Sequence, residues 1–131
     1  MSTGSFAKPV PTRHNRDMSA SFLANLVFND QGLIPVVVQQ VDTREVLMMA
    51  WMNADTIAKT LETGKATYWS RSRSEVWVKG ETSGNTQRVV SLAADCDKDT
   101  LLLTVDQTGV ACHTGNQTCF DESVTHPEAS S

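Results

Sequence analysis

Short apolar runs separated by polar, turn-forming stretches dominate the middle of the chain. Pro35-Val36-Val37-Val38 and Val46-Leu47-Met48-Met49 flank the polar Asp42-Thr43-Arg44-Glu45 and predict a β-hairpin. Beyond it Asn53 stands where a helix N-cap belongs, Ile57, Ala58 and Leu61 fall on one face, and Gly64 suits a left-handed terminating position, which predicts a helix over 54–63. Segments 66–70, 76–79, 88–93 and 101–105 have strand composition with turn-forming residues between them. Strands outnumber helices, so the expected fold is α+β, a mainly antiparallel sheet with one principal helix packed on one side.

The ends read differently. Residues 1–20 are rich in Ser, Thr, Pro, Asn and charge and have few large apolar groups, so they cannot offset ordering entropy by burial and are expected to form a flexible arm. Residues 121–131 are similarly polar and are expected to be a loose tail, leaving 21–120 as the working domain. A chain of 131 residues fits one domain with a modest core, which dimerisation would enlarge.

Charge and cysteine usage narrow the class. The net charge of -4, with both signs interspersed, gives no broad attraction to nucleic acid or anionic membrane and leaves a small ligand as the expected partner. No apolar run approaches the roughly 20 residues of a membrane span and no leader pattern opens the chain, so the expected location is the cytoplasm. Three cysteines, Cys96, Cys112 and Cys119, are an odd number and do not form the even framework of a secreted disulfide scaffold.

Those cysteines sit where chemistry is expected. Cys112 and Cys119 lie in a segment rich in Gly, Thr and Asn rather than in the apolar stripe that a packing cysteine prefers. Three thiolates would hold zinc and leave a fourth position for water, unless the adjacent His113 fills it. Around Cys96, Asp95, Asp97 and Asp99 alternate with other residues, so in an extended segment the carboxylates project to one face and the thiol to the other. Three like charges so close repel unless solvated or bound to a cation, and oxygen ligands suit magnesium or calcium. An EF-hand loop is excluded, since Thr100 replaces its turn glycine and residues 101–105 read as strand.

A second polar stretch runs through Tyr68-Trp69-Ser70-Arg71-Ser72-Arg73 and Val76-Trp77-Val78-Lys79-Gly80-Glu81-Thr82-Ser83-Gly84-Asn85. Arg71, Arg73 and Lys79, with the neighbouring hydroxyls and amides, offer the donors a phosphate needs, and Glu81 and Ser83 join them as candidate substrate contacts. Trp69 and Trp77 stand at strand positions, where core packing is the first expectation and stacking on a heterocycle the second.

Taken together, the Trp69 to Arg73 and Trp77 to Asn85 blocks, Asp95-Cys96-Asp97-Lys98-Asp99, and Cys112-His113-Thr114-Gly115 through Cys119-Phe120 closely resemble the phosphoribosyl-AMP cyclohydrolase family. Gly32-Leu33-Ile34-Pro35-Val36 and Glu45-Val46-Leu47-Met48 fit the same family's beginning. The resemblance implies the third step of histidine biosynthesis, hydrolytic opening of the adenine ring of N1-(5-phosphoribosyl)-AMP, by a homodimer using zinc and magnesium. It implies that Cys96, Cys112 and Cys119 are zinc ligands drawn from both subunits and that Asp95, Asp97 and Asp99 hold magnesium. The sequence ends soon after Phe120, so a monofunctional enzyme is expected.

The chemistry fits. A ribosyl group on N1 makes C6 of the adenine electrophilic, zinc lowers the pKa of bound water towards ~7, and His113 is the candidate for delivering a proton to the departing N1. A nucleobase or nucleoside deaminase would use similar zinc chemistry, but neither His-x-Glu nor Pro-Cys-x-x-Cys occurs. A structural zinc-binding interaction module needs four closing ligands, and only the adjacent pair Cys112-His113 supplies a fourth.

Overall fold

The computed structural model describes residues 13–112, 115–120 and 122–129. In chain order the elements are α1 (Arg13–Ala24), β1 (Ile34–Gln40), β2 (Val46–Met52), α2 (Ala54–Thr63), β3 (Thr67–Ser70), β4 (Glu75–Val78), β5 (Gln87–Ala94) and β6 (Leu101–Gln107), with a 3-10 turn at Pro127–Ala129. A four-stranded sheet has the order β2-β1-β6-β5, and β3 and β4 form a separate two-stranded sheet. The hairpin and the four later strands therefore fall where the apolar runs place them, within one to three residues at each end.

Alternation builds the two central strands of the main sheet. Ile34, Val36 and Val38 of β1 and Leu101, Leu103 and Val105 of β6 point inward and are buried, while the residues between them face out. The inward row meets Leu47, Met48, Ala50 and Met52 of β2, Ile57 of α2 and Tyr68 of β3 in one apolar core. Two of the three ladders are antiparallel, but β1 and β6 run parallel with Val36 opposite Leu101. Parallel neighbours require a long crossover, and here everything from β2 to β5 supplies it.

β5 is an edge strand. Its start is covered by Gly64 to Ala66, through Ala66 N donating to the Gln87 carbonyl at 3.1 Å and Val89 N donating to the Gly64 carbonyl at 2.9 Å. The register against β6 then slips between Val89 and Ser91, leaving Val90 as a bulge that is 46% exposed.

Helix α2 has the predicted span and caps. The Asn53 side chain accepts from Thr56 N at 2.8 Å, Thr56 Oγ1 accepts from Asn53 N at 2.9 Å, and Gly64 closes the helix at φ 75°. Its buried face differs from the expected one: Thr56, Ile57 and Thr60 are inward and Ala58 is exposed. Threonine is tolerated inside because the Thr60 hydroxyl donates to the Thr67 carbonyl at 3.1 Å and accepts from Thr67 N at 3.0 Å, locking α2 to β3. Replacing Asn53 by Ala removes the cap acceptor and should lower stability by about 1 kcal/mol, read as a fall in the urea midpoint at unchanged slope. An unchanged midpoint would mean that tertiary contacts alone hold the first turn.

The expectation of one principal helix is corrected by α1, which at 12 residues is longer than the 10 of α2. Residues 13–20, read as part of a flexible arm, lie in this helix; residues 1–12 are outside the described residues. The cause is downstream. Phe22 and Leu23 pack on the core, Leu26 is buried, and Val27 N donates to the Lys98 carbonyl at 2.7 Å, so tertiary contacts at the end of a polar helix hold it in place. No helix among the described residues is long and apolar enough to cross a membrane.

Candidate active site

The candidate residues gather at opposite ends of the main sheet. At the end where β6 finishes, a cleft of about 670 Å³ is lined by Arg73, Lys79, Glu81, Ser83, Cys112 and Cys119, with Trp77 and Asn85 beside them. One wall is the loop after β4. The other is the loop after β6, where Cys112 N donates to the Asn116 carbonyl at 3.2 Å and Cys119 N donates to the Leu47 carbonyl at 2.7 Å. Thr118 Oγ1 reinforces the second anchor by donating to the Val46 carbonyl at 2.7 Å. The cysteine loop is thus stitched to the first residues of β2, and both thiols reach one cavity. None of the three cysteines enters a disulfide.

Lys79 is buried, with 8% of its surface exposed. Desolvation lowers its pKa below the ordinary lysine value, an effect opposed by the nearby Cys119 and Cys112 thiols, whose negative form favours the ammonium. Arg73 reaches the cleft and is held by Glu75 at 3.5 Å, a partner that the sequence pattern did not single out. Arg71 does not line the cleft; its guanidinium lies over the ring of Trp51, 4.4 Å from the centroid. Trp77 is half-buried against Tyr68, with ring centroids 5.3 Å apart, so it combines core packing with a place on the cleft wall.

At the other end, the turn between β5 and β6 carries the aspartates. One carboxylate oxygen from each of Asp95, Asp97 and Asp99 lies within 4.8 Å of the others, and all three residues are exposed. They converge, but not through an extended segment. Residues 95–99 form a tight turn closed by Lys98 N donating to the Asp95 carbonyl at 3.0 Å, with Lys98 at φ 64°. Asp95 Oδ1 accepts from Asp99 N at 3.1 Å and Thr100 N at 3.3 Å, so one of its oxygens shapes the turn and the other remains for a ligand.

Cys96 belongs to this turn and Cys112 to the loop beyond the far end of β6. The seven residues of β6, at roughly 3.3 Å each, put about 20 Å between them within one chain. A metal shared by all three thiols therefore does not close inside one subunit. Cys112 and Cys119 offer two soft ligands to one cavity, which fits zinc, and the aspartate oxygens fit a hard divalent cation. His113 lies outside the described residues.

The family model of phosphoribosyl-AMP cyclohydrolase matches residues 48–121, which span the cleft and the aspartate turn. A phosphoribosyl-AMP cyclohydrolase of Micrococcus luteus is 67% identical over 98 residues, covering 75% of this chain and 78% of that protein. One from Thermobifida fusca is 65% identical over 98 residues, covering 75% and 84%, and one from Clavibacter sepedonicus is 53% identical over 122 residues, covering 92% and 88%. A family model that matches more than half of the chain, and relatives this similar over most of their own length, place it: the chain belongs to the phosphoribosyl-AMP cyclohydrolase family.

Proposed function

We propose that this protein hydrolyses the N1–C6 bond of the adenine ring in N1-(5-phosphoribosyl)-AMP, giving the ring-opened carboxamide of the third step of histidine biosynthesis. The observation that carries this is the family match over 48–121, because that stretch contains both cleft thiols and all three aspartates. When bound, zinc supplies activation of water near neutral pH at a carbon made electrophilic by the N1 substituent.

The chain's own groups take the remaining tasks. Cys112 and Cys119 hold zinc from the cleft wall, with Cys96 of a second copy as third ligand. The Lys79 ammonium, buried beside them, offsets the charge of two thiolates and attracts a phosphate. Arg73, oriented by Glu75, reaches a phosphate at the mouth, and Glu81 and Ser83 bond the sugar or base. His113 delivers the proton that N1 needs as its bond to C6 breaks. Asp95, Asp97 and Asp99 would hold magnesium, which would supply positive charge for a phosphate-bearing substrate. Arg71, with its guanidinium over the Trp51 ring, lies outside the lining of the cleft.

The split thiols and the outer face of the main sheet support a dimer. Met49, Val37, Leu102 and Ala93 form a row across all four strands, with Met49 42% and Leu102 39% exposed. Packing this face on its copy about a two-fold axis that crosses the strands reverses one β6 against the other. Each Cys96 turn then approaches the partner's cleft.

Purified protein should convert N1-(5-phosphoribosyl)-AMP to a product heavier by one water, with loss of purine absorbance, and leave AMP and adenosine untouched. AMP lacks both the N1 substituent that activates C6 and the second phosphate, so activation and binding fall together. Release of ammonia, or no mass gain from zinc-loaded protein, would overturn the assignment.

A further inference from the structure

Behind the cleft, a chain of side chains, Tyr68 and Gln87 buried and Gln107 half-buried, links the core to both loops and has no part in the chemistry above. Gln107 Nε2 lies 3.3 Å from the carbonyl oxygen of Asn85, 3.0 Å from that of Thr108 and 3.3 Å from that of Val110. Carbonyl oxygens only accept, so the amide nitrogen must face them and the Gln107 oxygen must face away. There it accepts from Gln87 Nε2 at 2.7 Å, which turns the Gln87 oxygen towards Tyr68, whose hydroxyl donates to it. Tyr68 and Gln87 are 0% and 1% exposed, and burial pushes the Tyr68 pKa far up, so this hydroxyl keeps its proton and stays a donor. Every donor direction along the chain is thereby fixed.

The carbonyls belong to the two walls of the cleft. Asn85 ends the loop that carries Glu81 and Ser83, and Val110 precedes the segment that carries Cys112. The walls also touch directly. Thr108 N donates to the Thr86 carbonyl at 2.9 Å, and a Cβ added at Gly109 would lie 2.0 Å from Asn85 Oδ1. From the sheet side, Gln107 N donates to Gln40 Oε1 at 2.9 Å, which ties the same residue to β1.

We propose that Gln107 is a positioning residue: its side-chain amide clamps the polar loop and the cysteine loop to each other and to the core, setting the spacing between thiols and substrate contacts. The statement about loop spacing stands on geometry alone; its consequence for zinc rests on the proposed function.

Two variants test it. Gln107→Glu keeps the shape but turns an acceptor-only carboxylate onto three carbonyl oxygens. Gln87→Met leaves Gln107 unchanged but removes the donor to its side-chain oxygen, and it carries the test if Gln107→Glu does not fold. Amide hydrogen exchange should accelerate in residues 81–86 and 108–112 together, by about tenfold as expected for losing one or two hydrogen bonds, with 95–100 and α2 unchanged. Zinc affinity, measured by competition with a chromogenic chelator, should fall by about 10- to 100-fold, as for other groups that hold metal ligands in place. Faster exchange throughout the chain, faster exchange in one loop only, or zinc affinity within twofold of wild type in both variants would overturn the role. If wild-type protein failed to open the purine while the exchange and zinc readouts behaved as stated, the reaction would fall and the clamp would stand.

Discussion

Chains carrying Cys96→Ser and chains carrying Cys112→Ser, each inactive and poor in zinc alone, should regain about a quarter of wild-type activity when refolded together in equal amounts. The number comes from the geometry of a shared site. With about 20 Å of β6 between Cys96 and Cys112, each zinc centre of the proposed dimer would take Cys96 from one subunit and Cys112 with Cys119 from the other. In a mixed dimer one centre carries both lesions and the other carries neither. Random pairing makes about half of the dimers mixed, each with half of its centres intact. Zinc content should recover in the same proportion. Wild-type recovery under identical refolding, with none in the mixture, would remove the shared site; full zinc occupancy in a single variant would remove that cysteine from the ligand set.

The second large effect concerns the polar loop. Gly80→Ala should destabilise the protein by about 2–5 kcal/mol, combining the left-handed backbone penalty with overpacking. Gly80 sits at φ 81°, and a Cβ there would lie 2.4 Å from the Asn85 carbonyl carbon, 2.5 Å from Thr86 N and 2.6 Å from the Asn85 oxygen. All three are backbone atoms, so no side chain can swing aside. Gly84 provides the control, since at φ 83° it shares the backbone strain but has nothing within 4 Å of the added carbon. Gly84→Ala should therefore cost only about 1–2 kcal/mol. Equal unfolding midpoints for the two variants would show that the close approach at Gly80 relaxes freely.

Local chemistry in the sequence accounts for what was legible. Asn53 and Gly64 mark the ends of α2 because caps satisfy backbone groups within a few residues, and the inward rows of β1 and β6 are visible as alternation. The parallel pairing of β1 with β6 has no such mark, since it joins segments that are far apart in sequence. Helix α1 was missed because its own composition is polar and its anchors, Phe22, Leu23 and Leu26, lie at or past its end. The aspartates were read as a cluster for the wrong reason: a turn with Lys98 at positive φ, not an extended strand, brings them together. Arg71 and Arg73 look equivalent in the chain, yet the hairpin tip sends one to Trp51 and the other to Glu75 and the cleft. Gln87 and Gln107 fall just outside the segments 88–93 and 101–105 that have strand composition, and only their opposition across β5 and β6 reveals the relay.

The bulge at Val90 bears on the protein's behaviour in crowded solution. An open edge of regular spacing is a template on which any passing strand can add, the first event in fibril growth. β5 presents such an edge only beyond Val89, and there the extra residue throws the spacing of its donors and acceptors out of step. A stranger strand aligned with one half is misaligned with the other. The irregularity discourages edge-to-edge growth along β5 while leaving the outer face of the sheet unobstructed.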